Sequence, residues 1–392
     1  MFRQEKKYYA RAFLYALAMA AVLLAPFVLL DGGYFVYYGD YNAQQIPFYK
    51  TCIEAVQSGN LGWNWRTDLG ANFVGSYSFY TLGSPFFWFA ALFPVEISQY
   101  LMAPLLALKI ACSSFFAFVY IRRFVTNPQH ALIGGLLYAF SGYSMYNIFF
   151  NHFHEAIVFF PLLLIGLEES VVNKRRGALA VAVAINAFVN YFFFIGECVF
   201  LVLYFVIRLI GDSRFRIGVK DFFCLAFEAV CGVLIAGVLF VPSIFQVLDV
   251  PRSTSMLNGW DFLFYNKNQR YGLILEAMFF PGEVPARTIM FEKADSKWSS
   301  VALFLPLFSM SGVIAMVKGA ATEASRRMKW LRILLPACLI IAMIPGLNSS
   351  FVLFNYSFYT RWFYMPELLC AMATVYVLEH EEFDLGFGAK FS

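Results

Sequence analysis

The chain has 392 residues, of which 60% are hydrophobic, 20% aromatic and only 14% charged, with a formal net charge of +4 and a mean hydropathy of +0.65. A water-soluble domain of that balance would expose apolar patches far above the tolerated size, so the composition excludes one and points to a polytopic membrane protein. The small positive excess reflects basic loops and gives no sign of a nucleic-acid surface.

The first apolar run, Phe13 to Leu30, is long enough to cross a bilayer. No Ala-x-Ala-type cleavage site follows it, and it reads as a retained helix, kinked near its outer end by Pro26. Arg3, Lys6, Lys7 and Arg11 precede it, which puts the N-terminus in the cytoplasm and the next segment outside. That segment, Tyr37 to Phe48, sets Asp40 behind Gly39 and ahead of the amide pair Gln44–Gln45 and Pro47. A poorly solvated carboxylate at the membrane surface gains proton affinity and can act as a general base. An Asp in this position equally suits a helix cap, and both readings stand at this point.

Pro47 to Gln57 reads as a short helix, with Pro in its first turn and Gly59 just past its end. Its stripe of Phe48, Cys52, Ile53 and Val56 suggests a helix lying in the membrane interface. Trp63, Trp65 and Arg66 then fall at headgroup level. Leu82 to Phe93 is apolar but short, with Pro85 and Pro94 at its ends. If it crossed, Arg122–Arg123 would end up outside, so it is expected to be re-entrant or interfacial.

The basic clusters Arg122–Arg123, Lys174–Arg176, Arg208–Lys220 and Lys318–Arg332 then all fall inside. This register predicts an all-α polytopic membrane protein with about ten spanning helices. They cover 13–30, 101–121, 131–150, 156–172, 177–193, 194–210, 222–247, 299–317, 331–346 and 362–379. The pair across 177–210 is the tightest, because about 34 residues must make two crossings, and parity places its turn between Asn190 and Glu197. The whole chain, 1–392, is read as a single transmembrane domain with two long outer loops. The first, 31–100, carries the interfacial helices, and the second, 249–298, is expected to be a small folded lid.

Polar residues at the outer helix ends are the candidates for chemistry. Asn151–Glu155 forms the turn between the third and fourth helices, and it carries His152, His154 and Glu155. The two histidines are two residues apart, so on a helix they diverge and make no metal pair; a plain polar surface turn is the alternative. Lys109 lies roughly 12 Å inside the second helix, where a cation marks either a function or a partner. It meets a lipid-linked phosphate or pairs with an acid such as Glu96 or Glu197. Glu228 and Glu367 read as further intramembrane ion-pair members, the latter with Arg361. Arg361, between Tyr359 and Trp362, offers either a planar fork for phosphate oxygens or an interfacial anchor. The seven cysteines lack CxxC spacing, there are four histidines, and no Asp-x-Asp pair occurs, so neither a metal nor another cofactor is expected.

Several of these segments together resemble the YfhO family of bacterial membrane proteins. They are Gly39-Asp40-x-x-x-Gln44-x-x-Pro47-Phe48-Tyr49, Trp63-Asn64-Trp65, Leu69-Gly70-x-Asn72-Phe73, Ser84-Pro85-Phe86 and Leu92-Phe93-Pro94. Leu108-Lys109, Tyr138 to Tyr143, His154, Pro161-Leu162, Glu168, Asn190 to Phe193 and Arg361-Trp362 continue the family's order. No single piece is highly specific, but their joint order is, and it runs over nearly the entire chain.

The resemblance implies a GT-C-like glycosyltransferase of the bacterial cytoplasmic membrane, working at the outer face. Its donor would be a sugar on a polyprenyl-phosphate carrier, such as undecaprenyl-phosphate N-acetylhexosamine. Its acceptor would be lipoteichoic acid or another surface glycopolymer. It makes Asp40 the catalytic residue, and Lys109 and Arg361, with Gln44 and Trp362, fit the donor phosphate. His152, His154, Glu155 and Tyr359 are accessory candidates. A donor-synthesising glycosyltransferase and a flippase are the expected partners beside membrane lipids. Family members are usually longer, so acceptor recognition is expected to be reduced or supplied by another subunit, or the chain to be a fragment. A transporter or flippase of lipid-linked sugars and a non-catalytic assembly subunit are the rival readings.

Overall fold

The computed structural model describes residues 2–67, 69–248, 256–283, 290–294 and 297–392. It is 70% helical, and among the described residues the only strands are Trp63–Asn64 and Ala71–Asn72. The principal helices are α1 (Phe2–Leu30), α2 (Ile46–Ser58), α3 (Met102–Ile121), α4 (Pro128–Ala139), α5 (Phe153–Val171) and α6 (Ala178–Val189). They continue with α7 (Tyr191–Gly211), α8 (Val219–Ile235), α9 (Gly237–Leu248), α10 (Ser311–Lys318), α11 (Lys329–Met343) and α12 (Tyr364–Glu379). Among these residues, Lys6–Leu30, Val95–Ile121 and Tyr191–Gly211 are each long and apolar enough to cross a membrane, and two bent pairs raise the number to 5 if each is one span. The chain is a helical membrane protein.

Helix α1 shows how the bundle is made. Ala12, Ala16, Ala20 and Leu24 recur every fourth residue and are buried against α3, while Val22, Leu29 and Leu30 stay exposed. Small side chains on one stripe let two helices approach closely without a hydrophobic effect to drive them. Deeper in, Arg208 is no loop residue: it lies buried in α7, and its Nη2 meets Glu168 of α5 at 2.9 Å.

Several expected spans are interrupted. The run 131–150 stops at Ala139, and Ser141 caps a short new helix, Gly142–Tyr146. The span expected over 299–317 is helical only from Ser311. Pro306 has no N–H to give, Leu307 and Ser309 adopt positive φ, and the backbone bonds elsewhere. Leu303 N–H donates to Ala277 O at 2.9 Å, and Phe304 O accepts from Gly142 N–H at 2.7 Å. The region 222–247 is a pair bent by 72° between α8 and α9. A bend of 100° separates α11 from Pro345–Val352, where Pro345 opens a new turn. The break near Asn190 is present, and its cause is a cap: Asn190 Oδ1 accepts from Phe192 and Phe193 N–H at 3.2 and 3.4 Å.

The described residues of the segment 31–100 are folded onto this bundle. Helix α2 starts with Pro47 in its first turn and ends at left-handed Gly59. Cys52 and Ile53 of the expected stripe are buried, Phe48 and Val56 pack partly against the core, and Tyr49 and Ala55 join them, so this face meets protein. Gln57 Nε2 ties it to the carbonyls of Ala91 and Phe93. Pro85–Ala90 is a helix of 6 residues, about 9 Å long and far too short to cross. The ribbon pairs Trp63 with Asn72, and Gly70 between the strands has φ 110° with Trp63 so close that a Cβ would lie 2.8 Å from its Nε1. The tryptophans and the Gly of this motif therefore form one packed turn.

Candidate functional site

The Asp40 segment is shaped by local necessities. Asn42 closes the loop, its Oδ1 accepting from Tyr37 N–H at 3.1 Å and its Nδ2 donating to Tyr37 O at 2.8 Å. Gly39 sits at φ 58°, and a Cβ there would lie 2.7 Å from the Trp298 ring, so only glycine fits. The chain then makes a π-helical turn, Tyr41–Gln45, with Tyr41 and Gln45 buried. Asp40 precedes this turn, yet its side chain makes no capping hydrogen bond. Asp40 instead lines a cavity of about 770 Å³.

The cavity wall is mostly apolar and aromatic. Gln44, His152, Tyr359 and Arg361 share it with Asp40, so five of the residues singled out in the sequence converge there. The guanidinium of Arg361 is 3.9 Å from the Tyr359 ring and within 5.8 Å of Phe150, Phe153 and Phe192. Rings hold a cation in place through the negative faces of their π-systems. Its backbone is pinned as well, since Tyr143 Oη donates to Arg361 O at 2.6 Å. Burial pushes the Asp40 carboxyl above the usual carboxylate range, and the charges of Arg361 and Lys297 pull it part of the way back. His152 is held well below the ordinary imidazole range, first by burial and then by the charges of Arg361 and Lys109. It is a neutral ring.

Four candidates do not line the cavity. Lys109 is fully buried, with Nζ 2.7 Å from Glu155 Oε1 and 3.1 Å from both Asn151 O and Asn151 Oδ1. Its partner is thus neither Glu96 nor Glu197; the latter accepts from Tyr364 Oη at 2.9 Å. Glu155 also accepts from Ser84 Oγ at 2.5 Å, so one ion pair links α3, α5 and the short helix at Pro85. His154 turns away and meets Ser144 O at 3.0 Å. Trp362 stacks on Phe351 at 4.3 Å and donates to Asn348 Oδ1 at 2.7 Å. Glu367 lies at Tyr143 N–H, which it accepts at 3.3 Å, rather than standing as the ion-pair partner foreseen for Arg361. Glu228 accepts from Ser170 Oγ at 3.4 Å. Among the described residues no cluster of three His, Cys, Asp or Glu is placed to hold a metal ion.

The sequence reading missed several wall residues. Phe79 and Tyr80 lie within a π-helical turn, Ser78–Leu82, that hydropathy does not show, and Phe240 and Ile244 looked like ordinary spanning residues. Trp298 arrives from the second loop, and the cue was Gly39, whose need for a close neighbour has no visible partner in one dimension. That loop is anchored by Arg270, which is buried and donates to Ser299 Oγ at 3.0 Å and to Phe358 O.

The model of the family described as bacterial membrane protein YfhO matches residues 11–385. The chain belongs to the YfhO family. No curated protein and no solved structure matched it. Within this YfhO chain the matched span takes in Asp40, Arg361, the Lys109–Glu155 pair and every described wall of the cavity.

Proposed function

We propose that this YfhO-family protein is a GT-C-like glycosyltransferase of the outer membrane face, taking a sugar from a polyprenyl-phosphate carrier and passing it to a surface glycopolymer such as lipoteichoic acid. The observation that carries this reading is the pairing of Asp40 and Arg361 on the wall of one aromatic cavity. Arg361 receives the carrier phosphate. The acceptor hydroxyl loses its proton to Asp40 as its oxygen attacks the anomeric carbon; the bond from that carbon to the phosphate oxygen breaks, and the electron pair leaves with the carrier phosphate. Lys109 does not line the cavity and acts by fixing the Asn151–His152 turn. Leu248 is 64% exposed and Leu353 58% exposed while both line the cavity, so its edge opens between large apolar side chains where a hydrocarbon chain can lie.

The orientation rests on the basic loops, with the N-terminus inside and Asp40 outside, and with about ten crossings if the shorter and bent helices cross too. Single cysteines replacing Asn60 and Asn258, in a background without native cysteines, should react with an impermeant thiol reagent in intact cells. Cysteines replacing Lys220 and Arg326 should be protected; labelling of these two from outside would overturn the orientation.

Donor affinity per folded molecule tests the phosphate site. Arg361→Lys keeps the charge but loses the two-pronged fork and should weaken binding of the polyprenyl-phosphate sugar. Arg361→Ala should weaken it further, by about 1.5–3 kcal/mol, the contribution of a charge-assisted hydrogen bond. Unchanged affinity in Arg361→Ala sinks this assignment. The two bent helices beside the cavity also suit a flippase, because broken helices line transporter substrate sites. That reading requires movement of the sugar lipid without transfer.

A further inference from the structure

Among the polar groups of the cavity wall that the proposed transfer leaves unused is His152. His152 stands just before α5, and the Lys109 bonds to Asn151 fix the residue next to it. Its Nδ1 lies 3.0 Å from Gln45 Oε1. An amide oxygen can only accept, so Nδ1 carries the proton and Nε2 presents a lone pair. The ring is caged edge-to-face by Phe79 at 4.6 Å, Tyr80 and Phe153 at 4.8 Å, and Phe150 at 5.8 Å between centroids. All four rings also line the cavity. Within this cage His152 Nε2 is buried with no hydrogen-bond partner, and so is Gln45 Nε2 behind it.

Two orphaned polar atoms on neighbouring side chains, each residue at most 3% exposed, are uncommon in a folded protein and call for a reason. His152 Nε2 is an acceptor on a wall residue, while Gln45 stands behind the ring and holds it in place. The charge logic narrows the choice. A neutral imidazole with its lone pair outward repels a phosphate oxygen and attracts an O–H or N–H. Arg361 and the His152 ring both pack on Phe150 and Phe153, so a phosphate on Arg361 would hold the attached sugar beside His152. The cavity thus has a cationic end for the phosphate and a neutral polar end next to it.

We infer that the Gln45–His152 pair is the sugar-reading element of the cavity, with His152 Nε2 accepting a hydrogen bond from a hydroxyl or amide N–H of the carrier-bound sugar. This rests on the phosphate site proposed above. Substrate binding must shift Phe79 or Tyr80 enough to bring the sugar against Nε2. His152 is here a binding and specificity residue and takes no proton.

The test compares two short-chain diesters of equal charge on the full-length protein in detergent. One is decyl N-acetylglucosaminyl phosphate, and the other is methyl decyl phosphate, which lacks the sugar. Wild type should bind the sugar diester about tenfold more tightly, the effect of one well-made hydrogen bond in a dry site. His152→Phe, which keeps the aromatic packing, should abolish that preference and leave methyl decyl phosphate affinity within about twofold. Gln45→Leu, which releases the tautomer, should reduce the preference. A full preference retained in His152→Phe, or no preference in wild type, overturns the inference. Where His152→Phe fails to fold, nitrogen NMR of histidine-labelled wild type decides: the Nε2 resonance of His152 must move with the sugar diester and stay still with the methyl diester. Failure of wild type to bind methyl decyl phosphate, or binding indifferent to Arg361→Ala, overturns the phosphate site itself and is told apart by that control.

Discussion

Lys109→Met will lower the stability of the folded protein in detergent by about 3–5 kcal/mol, the range for breaking a buried ion pair by removing one partner. The Lys109 side chain is 0% and that of Glu155 2% exposed, so the orphaned carboxylate has no water to turn to. Glu155 would keep only Ser84 Oγ, and Asn151 Oδ1 would lose the Lys109 donor, whereas Asn151 O still accepts from His154 N–H at 3.4 Å. Adding Glu155→Leu should recover part of the loss, because an apolar pair of similar volume replaces a buried ion pair at little cost. Full recovery is not expected while Asn151 Oδ1 lacks the Lys109 donor. Thermal unfolding of the single and double variants checks this, and a Lys109→Met midpoint equal to wild type would show that the pair does not brace the site.

Asp40→Asn will abolish glycopolymer modification in cells while the protein accumulates near its normal level. A lost general base typically costs about 10²–10⁴-fold in rate. The asparagine keeps the shape, and since the carboxylate makes no capping bond, the turn after it has no reason to loosen. The pH profile gives a second reading. A base works in its ionised form, so activity should fall as pH drops through the Asp40 pKa. Because burial raises that value against the pull of Arg361 and Lys297, the acid limb should lie above that of an ordinary aspartate. Unimpaired modification by Asp40→Asn would remove the catalytic assignment.

Membrane character, the α2 helix with its Pro start and Gly stop, and the short segment at Pro85 were all legible in the sequence, because hydropathy and helix signals act over a few neighbouring residues. What it could not show was where helices break inside apolar stretches. Residues 299–310 read as half a span, but their backbone bonds go to Gly142 and Ala277, far away in the chain. Asn190 was placed near a turn by charge counting alone, although its capping role is local and was there to be read. At the site, Asp40 and Arg361 stood out by chemistry, and both reach the cavity. Lys109 stood out for the same reason and turned inward to Glu155, since depth in a helix does not say which neighbour lies opposite. Glu155 was named only as an accessory to the histidines, four residues past the Asn151 that Lys109 also holds.

The central claim is that the cavity transfers sugar with Asp40 as the base. The most direct measurement uses purified protein in lipid vesicles, a radiolabelled sugar on a polyprenyl phosphate, and surface glycopolymer extracted from cells lacking the protein. Label should enter the polymer with wild type and fail to enter it with Asp40→Asn. An unlabelled polymer, with the sugar lipid moving between leaflets equally well in wild type and Asp40→Asn, would contradict the claim and make the protein a flippase.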